Sequence, residues 1–288
     1  MTPPVRPQAF AAAPQAAEPP PPPPLRAILA RRVNDWSVFA AGLGLIGWAV
    51  WNGAQSMGYN WQWYRVPRAF YRVIDGEIIW GPLTQGLLVT LEITLVAAPI
   101  AFLIGLVTAL LRLSRSYAGH ALATVYLEAV RNTPLLVQMY LFYFVLSPIL
   151  GLDRFWTGVL CLAVFEASFI SEILRGGVLS VPRGQWEGAE ALGLKRRAVY
   201  QRVVLPQAVP VMAPPLTSAL VNLVKNSAIV STIAVFDLTN QARNVISDTF
   251  LSFEIWFAVA AVYLSITVSL SIVAARLEAR ARRGFVRR

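Results

Sequence analysis

Six apolar runs, each near the length of a helix that crosses a bilayer, leave this chain few folds to choose from. A crossing helix needs roughly 20 apolar residues. Residues 36–51 (extendable to 55), 86–111, 135–150, 155–174, 207–229 and 255–275 meet or approach that length. The composition agrees: 56% of the 288 residues are hydrophobic and 14% are charged, whereas a soluble domain carries about 25% charge. The expectation is an all-α polytopic membrane protein with six transmembrane helices. An amphipathic stretch, 121–130, precedes the third run and lies either along the interface or inside the bundle.

The formal charge of +10 is a topology signal and no nucleic-acid footprint, because of where it falls. With the N-terminus in the cytoplasm, the inside segments hold Arg6, Arg26, Arg31 and Arg32, then Arg112, Arg115 and Arg131. They also hold six cations from Arg175 to Arg202 and six from Arg276 onward, nineteen in all. Outside fall five: Arg65, Arg68, Arg72, Arg154 and Arg243. The positive-inside rule then puts both termini in the cytoplasm. Residues 1–35, rich in Ala and Pro with six consecutive prolines from Pro19 to Pro24, read as an extended, disordered cytoplasmic tail. Arg31 and Arg32 before an apolar run have the look of a signal peptide. The long leader and the lack of a small-residue cleavage site favour an uncleaved first span. The outer loop 53–80, with Tyr59, Trp61, Trp63 and Tyr64, is either an interfacial aromatic belt, the preferred reading, or a docking surface for an extracytoplasmic protein.

Catalysis finds little support. One cysteine (Cys161, in an apolar run) and one histidine (His120) give neither a disulfide framework nor a metal cluster. Walker A, nucleophile-elbow and dinucleotide-binding patterns are missing. No cofactor is expected on this chain.

The stretch 187–206, EGAEALGLKRRAVYQRVVLP, has a physical sense of its own. Pro182 and Gly184 break the preceding helix. Glu187 is expected in the first turn of a short helix, where a carboxylate suits the positive dipole end. Gly188, Ala189 and Ala191 let a partner approach the backbone, and Gly193 in a left-handed conformation ends the helix. A second helix carries Lys195, Arg196 and Arg197 until Pro206 stops it. A short helix with small side chains suits insertion into a groove on a partner.

The same stretch resembles the EAA loop of ABC-importer permeases: Glu-Ala-Ala, three residues, Gly, nine residues, Ile, one residue, Leu-Pro. Glu187, Gly193, Leu205 and Pro206 fit that spacing, with Gly188 in place of Ala and Val203 in place of Ile. Residues 86–105 are similar to the opening core helix of the polar amino acid branch. EAVRNTPLLVQ (128–138) and ASFISEILRGG (167–177) resemble its signatures. The resemblance spans about residues 86–275. It implies a permease core (86–276) after an accessory helix and periplasmic loop (36–85), with a basic cytoplasmic tail (277–288). It also implies a bacterial inner-membrane location, a second permease subunit (identical or homologous), a cytosolic ATPase dimer carrying ATP and Mg²⁺, a periplasmic solute-binding protein and an amino acid substrate. A permease of this type for another small solute, such as an opine, is the nearest alternative. A non-ABC secondary transporter or scaffold is the remoter one, and the spacing argues against it.

Within the spans, ionisable residues ask for a role. Glu128 and Arg131 are three apart and can pair on one helix face. Beside the bend that Thr133 and Pro134 mark, the pair is either a gate or a helix-start ion pair. Glu172 and Arg175 read as a structural pair. Glu166 lies mid-span, and Lys225 in the outer half of its span beside Asn226 and Ser227, a run similar to the family's Lys-Asn/Asp-Ser/Thr. Lys225 and Glu166 either pair across helices, the favoured reading, or hold the two charges of a zwitterionic substrate.

Overall fold

The computed structural model describes the backbone of residues 25–286 and the side chains of residues 35–276. The chain divides at Trp61/Gln62 into two compact units. The first holds α1 (Leu25–Ser56), which begins directly after the last of the six prolines; the rest of the expected disordered tail, 1–24, lies outside the described residues. From Asp35 to Ser56 α1 is apolar enough to cross a membrane and none of its most apolar window is buried. This suits a span that faces lipid.

The second unit holds everything from Gln62 onward, so the outer loop from Gln62 lies with the core, whereas the sequence division at 85/86 groups it with the accessory helix. The reason is tethering: the Gln62 amide donates to the Glu254 carboxylate at 2.7 Å. A 3-10 turn (Trp63–Arg65) and α2 (Pro67–Phe70) lead into β1 (Tyr71–Ile74) and β2 (Glu77–Trp80). This antiparallel hairpin, with Ile74 opposite Glu77, is a short β element in an otherwise helical unit, and the sequence reading gives the loop no secondary structure. Asp75 and Gly76 both take positive φ, 52° and 83°, the geometry that two-residue hairpin turns favour.

Then come α3 (Pro82–Leu113), α4 (Tyr117–Arg131), α5 (Leu135–Leu141), a π turn (Phe142–Leu146), α6 (Ser147–Leu150) and α7 (Arg154–Leu179). The remainder is α8 (Arg183–Ala191), α9 (Arg196–Val199), a second π turn (Tyr200–Val204), α10 (Leu205–Asn226), a 3-10 segment (Ser227–Ile233), α11 (Leu238–Thr249) and α12 (Ser252–Val286). Among the described residues five helices are long and apolar enough to cross a membrane. A sixth crossing exists only if α4 and the 135–150 helix count together, and these are bent by 107° at their junction. The third expected span is therefore a broken one: 16 residues of helix reach about 24 Å, short of the roughly 30 Å hydrocarbon core.

Helix α7 is the centre of the bundle, with fourteen buried residues from Thr157 to Val178. Its neighbour α3 presents Ala97, Ala101 and Gly105 at four-residue spacing toward it, and all three are buried. A Cβ on Gly105 would lie 2.8 Å from Ile170 Cγ2 and 3.0 Å from the Ala167 carbonyl. Lipid tails are as apolar as leucine, so close backbone approach through small residues is what holds such helices together. Polar side chains inside α3 are satisfied along the helix: Thr90, Thr94 and Thr108 donate to carbonyls one turn back at 3.0, 2.8 and 2.8 Å.

Candidate functional site

Two sets of residues assemble, one on the loop between α7 and α10 and one inside the bundle. On the loop, Pro182 is the N-cap of α8, as its lack of a backbone donor favours, whereas Gly184 lies inside the helix. The C-terminus closes in a Schellman motif: Gly193 at φ 73°, its amide on Glu190 O at 2.9 Å and the Leu194 amide on Ala189 O at 3.3 Å. These bonds satisfy carbonyls that a helix end leaves open. Trp186 meets Tyr200 edge-on, 5.2 Å between ring centroids, and so ties α8 to the helix that follows.

Three expectations for this loop change. Glu187 sits in the second turn of α8, not the first, and pairs with Arg183 one turn back at 2.8 Å. Both side chains are mostly exposed, so the pair contributes a few tenths of a kcal/mol (~0.3–0.5) at most. Ala189 is buried at 4% exposure and is the side chain by which α8 lies against the core, so it is unavailable to a partner. Gly188 and Ala191 are exposed beside Glu187, and Leu192 stands 82% exposed at the tip. Pro206 does not stop the second helix. Helix runs from Arg196 to Ile233, with the π turn directly before the proline. There the Leu205 amide bonds Tyr200 O, five residues back. A wide turn accommodates what proline would otherwise disrupt. Leu205 is partly exposed.

Inside the bundle, Glu172 gathers three guanidinium groups. Arg112 of α3 bonds one carboxylate oxygen, Arg175 the other at 2.9 Å, and Arg131 of α4 stands at 3.8 Å, stacked over Phe169 at 5.5 Å. The Glu172–Arg175 pair is present, joined by two helices more than the sequence anticipates. Arg131 is thereby taken from Glu128, and that expected pair does not form; the Glu128 carboxylate accepts instead from Asn132 Nδ2 at 2.7 Å. The part-buried site by Glu172 is screened less by water than the exposed Glu128 carboxylate, and there Arg131 also gains the face of Phe169.

The bend after Arg131 is built where Thr133 and Pro134 place it. Thr133 Oγ1 donates to Ala129 O at 2.8 Å and Pro134 is the N-cap of α5. The buried Gln138 amide spans the corner, donating to Val130 O at 2.7 Å and to Thr133 O at 3.0 Å. Gln138 escaped the sequence reading as a site residue, although a polar side chain one turn into an apolar helix is a visible signal.

Glu166 and Lys225 do not pair. Glu166, 2% exposed, accepts from Asn226 Nδ2 at 2.8 Å and is the one charged lining of a small cavity, about 160 Å³, with Ala98, Phe102 and Leu216 among its walls. Lys225 is exposed and lines a groove with Thr267 and Ser271 of α12, within electrostatic reach of Glu166 but without an ion pair to it. Neighbouring residues of a helix are about 100° apart, so Asn226 facing Glu166 turns Lys225 off it. Ser227 is buried and bonds Val224 O at 2.7 Å where α10 tightens into its 3-10 segment.

Asp237 was missed by the sequence reading. Fully buried, it caps α11 by accepting from the Asn240 and Thr239 amides at 2.9 and 3.2 Å. Burial pushes its carboxyl up to about 6 despite those bonds. An Asp directly before an amphipathic helix is a recognisable cap signal.

Residues 101–283, more than half of the chain, match the family described as the binding-protein-dependent transport system inner membrane component. The chain belongs to this family. It is accordingly a multi-pass inner-membrane permease subunit of ABC import systems that work with an ATPase and a binding protein. A probable glutamine ABC transporter permease protein, GlnM of Bacillus subtilis, is 36% identical over 68% of this chain and 91% of its own length. The octopine transport system permease protein OccM of Rhizobium meliloti is 34% identical over 68% and 82%. Among solved structures, an amino acid ABC transporter crystallised with histidines aligns with TM-score 0.65 and 35% identity over 69% of the permease and 94% of that chain.

Proposed function

We propose that this permease forms the translocation pathway of an importer for polar or charged amino acids and takes its drive through α8. The observation that carries the coupling is the exposed face of α8, with Glu187, Gly188 and Ala191 beside the left-handed Gly193. The helix is short and rigidly ended, and small side chains at Gly188 and Ala191 stand exposed beside Glu187, as insertion into a partner's groove requires. In this reading α8 and both termini are cytoplasmic, as the Lys and Arg distribution favours, and a cytosolic ATPase dimer binds there. ATP and Mg²⁺ belong to that partner, and this chain hydrolyses nothing. A second permease, identical or homologous, completes the pathway, and a periplasmic binding protein delivers the cargo. Closure of the ATPase dimer pushes α8, and Trp186 on Tyr200 passes the motion into α10.

The substrate class rests on the relatives, whose names give glutamine and histidines. The octopine relative supports a second reading, in which the cargo is an opine. Glu166 and Lys225 supply a buried carboxylate and an exposed ammonium that form no ion pair with each other, which suits contact with polar cargo. Glu187→Lys and Gly193→Trp test the coupling in the assembled transporter. Each is expected to stay in the membrane, lose ATPase association and lose uptake. Normal ligand-stimulated ATPase activity in both variants would overturn the assignment.

A further inference from the structure

Arg65, Arg68 and Arg72 follow one another at spacings of three and four through the 3-10 turn, α2 and the start of β1. All three line one cavity of about 750 Å³. Its far wall comes from α11 and the start of α12, including Val245, Asp248 and Ile255. Among the described residues none of the three arginines is in an ion pair. Arg65 Nη1 donates to Gln62 Oε1 at 3.0 Å and Arg72 Nε to Arg68 O at 3.4 Å. Asp248 is the single carboxylate on the wall, so the cavity keeps an excess of positive charge.

The hairpin that borders this cavity has one wholly apolar face. Tyr71 stands opposite Trp80 and Val73 opposite Ile78, with exposures of 48, 57, 62 and 60% in that order. Such a face is unfavourable in water and favourable at a lipid interface, where Trp and Tyr are at home. The cavity also sits where two spans begin, since Pro82 opens α3 and Ile255 lies in the first turn of α12.

We propose that this cavity is a binding site for the headgroup of an anionic phospholipid. Guanidinium forks match the phosphodiester in charge and geometry, and the glycerol and upper acyl chain lie along Tyr71, Val73, Ile78 and Trp80. An acidic patch on a soluble partner would satisfy the arginines but leave that apolar face in water, so lipid is the better complement. With the orientation proposed above, the leaflet is the outer one; the binding chemistry does not depend on it.

The test uses the complete transporter in detergent. Dioctanoyl phosphatidylglycerol, dioctanoyl phosphatidylcholine and inorganic phosphate are added separately and followed by native mass spectrometry and thermal midpoint. Phosphatidylglycerol alone is expected to stay bound and raise the midpoint, with about tenfold weaker binding to Arg65→Gln/Arg68→Gln, a factor worth about 1.4 kcal/mol. Arg68→Gln by itself, at an exposed position, shows the same direction of change if the double variant assembles poorly. Equal binding of phosphatidylcholine, an equal effect of inorganic phosphate, or undiminished phosphatidylglycerol binding to the variants would overturn the proposal. So would variants that bind phosphatidylglycerol normally yet lose stimulation by the binding protein in phosphatidylcholine nanodiscs, which would assign the arginines to a protein partner.

Discussion

Two carboxylates on α7, less than two helical turns apart, are treated in opposite ways. Glu172 is held by three guanidinium groups from three helices. Glu166 is more deeply buried and has a single neutral donor, Asn226, at the point where α10 gives way to its 3-10 segment. Charge on one helix thus serves two ends. Glu172 pins α3, α4 and α7 at the end that carries α8, while Glu166 is held lightly enough for its partner to be exchanged. The contrast separates a charge that keeps the bundle together from one held by a single neutral donor.

The largest effect that would test this contrast is on Glu172. Glu172→Gln leaves three arginines without their shared counter-charge. Breaking a buried pair costs about 3–5 kcal/mol; with the site about a quarter exposed, a loss of about 2–3 kcal/mol is expected, read as a lower thermal midpoint or failure to assemble. Wild-type stability in this variant would abolish the distinction between the two sites. Glu166→Gln is expected to move stability by less than about 1 kcal/mol, because the amide oxygen still accepts from Asn226, yet to impair uptake. Equal loss of stability in both variants would make Glu166 a second pin.

The smallest expected effect belongs to Asp237, buried like Glu166 but held by backbone amides. Its carboxyl is raised to about 6 from an unfolded value of about 3.9. The folded state therefore binds the proton more tightly. This stabilisation is fully present below about pH 4 and is lost as pH rises through 6. Asp237→Asn keeps a competent cap and should flatten the dependence of the thermal midpoint between those values. An unchanged pH profile would show that the carboxyl is not the group responsible.

What could be seen in the sequence was local. The positions of five of the six apolar spans, the bend at Thr133–Pro134 and the left-handed stop at Gly193 follow from a few consecutive residues, and each is where it was expected. What depended on distant partners was lost. Glu128 and Arg131 are well placed to pair until Glu172, forty-one residues on from Arg131, claims the arginine. The helical phase that sets Asn226 against Glu166 turns Lys225 away, and the inward side of α8 is fixed by the bundle and not by the small size of Ala189. The hairpin is legible in Asp75–Gly76, a pair suited to a two-residue turn.

The wide turn before Pro206 has a consequence for timing. A π turn holds one residue more than an α turn, so helix beyond it is rotated by about 100° relative to the phase set before it. The face that α10 shows the bundle is thus indexed against α9 by a single added residue, like a gear mounted one tooth over. Losing one residue between 200 and 204 would shorten the arm by about 1.5 Å, but it would also swing Trp186 and the tip of α8 to another side. Only a change of about one whole turn in this segment would leave both faces in phase.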